Sequence, residues 1–223
     1  MARRALRLWQ RLGQHLAAWL GAAALLAFVG GATSAEAFGD EALIAALRGG
    51  GYTIYFRHAA TDWGRSDRTE AEGDWTSCDP NKMRQLSGSG RATARRVGEA
   101  IRALKIPVGK VLSSEYCRAA ETARLMGLGP VETTRAIMNM RAAEHVGGPE
   151  AVIRRARRVL SEPPQPGTNV IMVGHGNLMN AATGADADEG GSGIYAPSGK
   201  GFELVALLSA EDWTRLKTRF GGG

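Results

Sequence analysis

Three short runs of apolar and β-branched residues break off at polar or glycine positions and set the frame of the chain. Tyr52 to Phe56 gives way to Arg57-His58-Ala59-Ala60-Thr61. Lys110 to Ser114 leads on to Arg118, and Asn169 to Val173 leads to Gly174-His175-Gly176. Runs of this length bounded by turn residues read as buried strands. Each then delivers polar side chains to its C-terminal end, where open α/β sheets place their ligands.

Between these strands the apolar spacing becomes helical. Leu43, Ile44 and Leu47 share one face of a short helix that begins at Gly39-Asp40 and stops at Gly49-Gly50-Gly51. Leu86-Ser87 opens a helix to about Lys105, with Val97, Ala100, Ile101 and Leu104 on one face, and Pro107 and Gly109 end it. Glu115 to Met126 reads as helical, Val131 to Thr133 as a weaker strand, Ala151 to Leu160 as a basic amphipathic helix, and Asn177 to Thr183 as a short helix. Glu162-Pro163-Pro164-Gln165-Pro166-Gly167 links into the third strong strand.

Two stretches lack any period. Asp62 to Gln85 is predicted to be a long loop over the site, and Gly184 to Gly193 a flexible acidic loop. Phe202 to Leu208 and Trp213 to Phe220 are expected to close the chain as two strands in hairpin order, separated by Ser209-Ala210-Glu211-Asp212. Alternating strands and helices predict an α/β fold: a three-layer α/β/α sandwich whose central sheet is mostly parallel and made mixed by the terminal hairpin. No internal repeat and no second domain is expected.

The first 37 residues change how the charge is read. Four arginines (Arg3, Arg4, Arg7, Arg11) and one acid (Glu36) lie there, on either side of an uncharged run from Leu16 to Val29, and small residues ending in Ala35-Glu36-Ala37 follow that run. A basic start, a short apolar run and an A-x-A site are the marks of a signal peptide cleaved after Ala37, leaving a mature domain over residues 38–223. Arg3-Arg4 leaves Sec and twin-arginine export both open. The formal charge of the whole chain is +6, and without the leader 24 basic and 21 acidic residues remain. The basicity is largely the leader's, so no nucleic-acid footprint is read. The apolar run is short of the ~20 residues that span a bilayer, so no stable membrane insertion is expected after cleavage, and the protein would be periplasmic or secreted.

In an exported chain the two cysteines, Cys78 and Cys117, read as a disulfide that would stabilise the fold by roughly 4 kcal/mol; two unpaired thiols are the alternative. Two thiols are too few for a zinc site.

Two arginines and two histidines at strand ends suit phosphoryl transfer. A phosphomonoester carries up to about two negative charges near neutral pH, and guanidinium groups match its oxygens in pairs. A neutral imidazole is a competent nucleophile, and a second one can donate to the oxygens as charge builds. The loop arginines and lysine Arg65, Arg68, Lys82 and Arg84 could meet an anionic substrate or be ordinary solvated charges.

Those motifs resemble the histidine phosphatase superfamily, with its phosphoglycerate-mutase-like fold. Arg57-His58-Ala59-Ala60-Thr61 is similar to the family's Arg-His-Gly-x-Thr/Ser signature, Ser113-Ser114-Glu115-Tyr116-Cys117-Arg118-Ala119-Ala120-Glu121-Thr122-Ala123 to its Ser-Ser-x-x-x-Arg-Ala-x-Gln/Glu-Thr-Ala segment, and Val173-Gly174-His175-Gly176-Asn177 to the segment bearing its second histidine. The resemblance runs from Tyr52 to about Asn180 with the motifs in family order. It implies that His58 becomes a phosphohistidine, that Arg57, Arg118 and His175 complete the phosphate pocket, that Thr61 adds a hydroxyl contact, and that neither metal nor cofactor is needed. Arg141-Ala142-Ala143-Glu144-His145-Val146-Gly147-Gly148 is similar to the mutase-like branch's stretch bearing the general acid, which makes Glu144 the expected proton donor. The other branch places an acid after the second histidine, where this chain has Asn177, with Asp186, Asp188 and Glu189 further on; those three are expected to keep a glycine-rich loop soluble.

Two departures bear on this. Ala59 replaces the signature glycine, which the backbone accepts if φ there is negative. Gly64, after Trp63, stands where mutases carry an asparagine, and its absence removes a phosphate-binding amide expected of a mutase.

The expectation is an exported, metal-independent phosphoric monoester hydrolase acting through phosphohistidine on a phosphorylated small molecule. A phosphatase specialised for a phosphorylated envelope sugar or lipid, and a noncatalytic phosphate-binding or envelope-interaction protein, are the alternatives. Trp63, Trp75 and Tyr195 are aromatics that either stack on a substrate or pin their loops to the domain. The physiological substrate and the oligomeric state are not legible.

Overall fold

A computed structural model describes residues 39–222; the expected signal peptide lies outside the described residues. Six strands form one sheet: β1 (Thr53–Arg57), β2 (Val108–Ser114), β3 (Val131–Thr134), β4 (Asn169–Gly174), β5 (Ser192–Pro197) and β6 (Phe202–Leu208), in the order β3-β2-β4-β1-β5-β6. The strands from β3 to β1 run parallel, and β5 is antiparallel to both of its neighbours. The expected mostly parallel, mixed sheet is therefore the observed one. Central strands β1 and β4 are buried almost throughout, as parallel strands covered on both faces must be.

Helices α1 (Asp40–Gly49), α2 (Gly88–Ala103), α3 (Cys117–Met126) and α6 (Ala210–Phe220) pack among themselves; α4 (Pro149–Ser161) packs with α5 (Gly176–Thr183) and with the 3-10 turns Arg135–Ile137 and Met140–Val146. The buried residues follow the predicted stripes: Leu43, Ile44 and Leu47 on α1, and Val97, Ala100 and Ile101 on α2. Ser87 caps α2, its hydroxyl accepting from the backbone N–H of Gly90 at 3.0 Å. A Cβ on Gly90 would collide with the Ala60 carbonyl, so this glycine lets α2 press against the segment after His58.

The expected final strand, Trp213 to Phe220, is instead helix α6. Ser209 and Asp212 form a capping box, the Ser209 hydroxyl accepting from the Asp212 N–H and the Asp212 carboxylate from the Ser209 N–H. Trp213 and Leu216 are buried one turn apart, a helical spacing rather than an alternating one. The hairpin that makes the sheet mixed is β5–β6, so its first strand begins inside the stretch expected to be an acidic loop. Tyr195 and Ile194 fill the core there.

Asp62 to Gln85 is a loop with one 3-10 turn, Asp74–Thr76. Its ends meet: Thr61 and Leu86 form an isolated bridge, and the Asp62 N–H donates to the Gln85 carbonyl at 3.2 Å. Trp75 and Met83 are sunk into the core. Cys78 is bonded to Cys117, with Cα atoms 5.4 Å apart, which ties the middle of the loop to the start of α3. No helix among the described residues is long and apolar enough to cross a membrane.

Candidate active site

β1 and β4 lie side by side and end together, Arg57 opposite Gly174, so His58 and His175 follow from adjacent strand ends. Their rings meet edge-on with centroids 5.4 Å apart, both buried. The His58 N–H donates to the Gly174 carbonyl at 2.9 Å. From β2 the chain enters α3, whose first turn carries Arg118, 1% exposed, into the same place. Arg57, His58, Arg118 and His175 thus line one cavity of about 510 Å³.

The protonation of His58 follows from its partners. Nδ1 lies 3.0 Å from the Ala59 carbonyl oxygen, which can only accept, so Nδ1 carries the proton. Nε2 accepts from the Arg118 Nε–H at 3.1 Å and keeps its lone pair. Burial, followed by the Arg118 charge, holds the pKa of His58 well below the usual imidazole value. The ring is neutral near pH 7 with Nε2 nucleophilic. Lys105 is the one non-glycine residue with positive φ among the described residues, so Ala59 in place of the signature glycine costs no strain.

His175 is held from both sides. The Asn139 Oδ1 accepts from the Arg141 N–H at 2.9 Å and from the Asn177 amide at 2.8 Å, which fixes its Nδ2 toward His175 Nδ1 at 3.0 Å. Nδ1 is therefore an acceptor, and the Nε2–H goes to the Ser114 hydroxyl at 2.9 Å. Burial and then Arg118 push this pKa down as well. His175 can donate to a phosphoryl oxygen only by exchanging Ser114 for it. Tyr55 braces the same turn, its hydroxyl donating to the His175 carbonyl at 3.2 Å.

Arg118 is already paired. Asp67, from the long loop, accepts from both terminal guanidinium nitrogens at 2.9 and 3.0 Å, and the pair is 1% and 5% exposed. The same carboxylate accepts from the Arg84 backbone N–H at 3.0 Å. Arg57 donates to the Ala187 carbonyl at 3.0 Å.

Two expected residues stand elsewhere. The Thr61 hydroxyl donates to Glu189 at 2.9 Å and does not line the cavity. Glu144 is exposed on the 3-10 turn Met140–Val146 and does not line it either, whereas Asp186, expected only to solubilise its loop, does. Glu189 likewise has a structural task, accepting from Thr61 and from the Trp63 indole at 3.2 Å. Of the loop aromatics, Trp75 and Tyr195 are buried pins and Trp63 is 64% exposed beside the cavity.

Sequence reasoning missed Asp67 and Asn139. Asp67 lies in a stretch without a period. Asn139 does carry a local signal, as a capping residue two positions before Arg141. Among the described residues no cluster of three or more His, Cys, Asp or Glu side chains could hold a metal ion.

The profile of the histidine phosphatase superfamily, branch 1, matches residues 54–158. No curated protein matches. Among solved structures the chain is similar to the protein histidine phosphatase SixA complexed with tungstate (14% identity, 72% of this chain and 98% of that one, TM-score 0.51). It is also similar to a candidate alpha-ribazole-5'-P phosphatase from Escherichia coli K-12 (17% identity, 71% and 97%, TM-score 0.52) and to mycobacterial hydrolase 1 (16% identity, 71% and 98%, TM-score 0.51). At these identities the likeness is one of fold.

Proposed function

Because the chain belongs to the histidine phosphatase superfamily and is a phosphatase, we propose that it is an exported, metal-independent enzyme that hydrolyses phosphomonoesters through a phosphohistidine at His58. The observation that carries this reading is the state of His58: neutral, with Nδ1–H fixed on a backbone carbonyl and the Nε2 lone pair aimed at the guanidinium that would hold the phosphoryl group.

In the first step Nε2 attacks phosphorus and the bond from phosphorus to the leaving oxygen breaks. Arg57 and Arg118 match the charge on the remaining oxygens, with His175 as a further donor. The departing alkoxide takes a proton from a carboxyl group, and water then attacks the phosphoenzyme, giving that carboxylate a proton and freeing His58. Asp186 is the better placed donor, since it lines the cavity and Glu144 does not. Phosphate also has to compete with Asp67 for Arg118. Export rests on the leader alone, and a periplasmic or secreted location is proposed on that ground. A phosphorylated envelope component is the specialised form of the same reading.

The test is hydrolysis of an aryl phosphate by the protein from Phe38 onward, with and without chelator. Chelator-resistant turnover that falls at least about 10³-fold in His58→Ala is expected; full activity in that variant would sink the mechanism. Asp186→Asn should slow alkyl phosphates about tenfold more than aryl phosphates, whose leaving groups need less protonation. The same split in Glu144→Gln, absent in Asp186→Asn, would return the role to Glu144.

A further inference from the structure

We propose that Arg84 and Arg141 form a second anion subsite beside the phosphoryl pocket, so that the favoured substrate is a phosphomonoester bearing another anionic group on the same molecule. The inference rests on the reading of His58, Arg57 and Arg118 as the phosphoryl pocket, and it specifies what the rest of the cavity binds.

Arg84 is the carrying observation. It is 9% exposed and lines the same cavity as His58, yet its buried Nε has no hydrogen-bond partner, and no described oxygen accepts from its guanidinium. A buried donor left unmet is destabilising, and a buried cation is ordinarily paired. The protein pairs its neighbour that way: Arg118 has Asp67. Arg84 has no such pairing and stacks instead on the face of Trp63, with its guanidinium carbon 4.0 Å from the ring centroid. That stacking orients the guanidinium plane and supplies no acceptor. Burial, and next the charge of Arg118, lower its pKa, with the charges of Asp67 and Glu189 acting the other way.

Arg141 lines the same cavity, is exposed, and likewise has no acceptor for its side chain among the described residues. One lining acid, Asp186, faces four lining arginines. The volume of about 510 Å³ lies in the range that encloses a small metabolite rather than a phosphoryl group alone. Guanidinium forks select planar or tetrahedral oxyanions, so the second group is a phosphate or a carboxylate.

The experiment compares kcat/KM for glucose 1,6-bisphosphate and 6-phosphogluconate with that for glucose 6-phosphate, in the wild type, Arg84→Gln and Arg141→Gln. Wild type should prefer one or both doubly anionic sugars, the two arms showing whether the second group is phosphate or carboxylate. The preference should fall about tenfold or more in Arg84→Gln and about threefold in Arg141→Gln, whose exposed position keeps the test valid if Arg84→Gln does not fold. An unchanged preference in Arg141→Gln together with an equal loss on all three sugars in Arg84→Gln would make Arg84 a third arm on the transferred phosphoryl group and overturn the proposal. If the wild type hydrolyses none of them, the functional reading has failed and the subsite is judged by calorimetry on His58→Ala. Methylenebisphosphonate binding more tightly than methylphosphonate, with the advantage lost on adding Arg141→Gln, would uphold the subsite; equal binding would overturn it.

Discussion

Arg57, His58 and His175 stand at the ends of two paired central strands, whereas Trp63 and Arg84 reach the same cavity, and Asp67 the guanidinium of Arg118, from a loop. The strand-end residues inherit their positions from the register of β1 against β4, Thr53 through Arg57 beside Val170 through Gly174. The loop residues are placed by side chains: the buried Trp75 and Met83, the Cys78–Cys117 bond, and the Asp67–Arg118 pair. Backbone pairing positions the chemistry, and discrete fastenings position what surrounds it. Removing one fastening should therefore displace half of the cavity and leave the other half standing.

The largest effect is expected from Asp67→Asn. It strips the partner from a buried guanidinium, which costs about 3–5 kcal/mol where no other anion replaces it. Inorganic phosphate should restore the loss, so the variant should gain more in Tm from phosphate than the wild type does. An equal gain in both would show that Asp67 and phosphate do not share Arg118.

Next in size is the disulfide. Cys78→Ser combined with Cys117→Ser should lower stability by about 2–4 kcal/mol in denaturant titrations. Amide exchange should rise in Asp62 to Gln85 while β1 and β4 stay protected. Uniform loss of protection would mean that the loop and the strand ends fold as one unit.

The smallest is the pH dependence of the strand-end half. His58 and His175 have folded pKa values below the unfolded one near 6.5, so as pH falls below that value the unfolded chain binds their protons first. Stability is full above about pH 6.5 and declines below it, by at most about 1.4 kcal/mol per pH unit for each histidine. His58→Ala should remove its share of that slope. By the same shift the acid limb of kcat/KM should fall below pH 6.5, because His58 stays neutral there; a limb at 6.5 would place an ordinary exposed imidazole in the role.

How much could be read without coordinates follows the same division. The strands ending at Arg57, Ser114 and Gly174 were legible because a buried parallel strand is apolar along most of its length, and their polar ends announced the residues proposed to bind phosphate. Trp213 to Phe220 was read as a strand because its helical period is short and its start signal, Ser209 with Asp212, also reads as a turn. β5 was hidden behind the glycines Gly190, Gly191 and Gly193, which weaken any strand signal. Asp67 was illegible, and Arg84 indistinguishable from the solvated charges named with it, for a stronger reason. Their partners, Arg118 and Trp63, are fixed by how the loop folds back, and no period in the sequence encodes that return. Glu144 was placed by resemblance to a local pattern, and on the 3-10 turn Met140–Val146 its side chain is exposed while Arg141 of the same turn lines the cavity.

The meeting of the loop's two ends at the Thr61–Leu86 bridge has a consequence for how such a protein can change over time. A segment that leaves and re-enters the domain at one place can be lengthened, shortened or exchanged at a cost that rises only slowly with its length. β1 would still end at Arg57-His58, and α2 would still start at its Ser87 cap. The choice of substrate could then drift or be redesigned by swapping this one stretch as a cassette, with Cys78 kept as its anchor, while the machinery that breaks the phosphate ester is inherited intact.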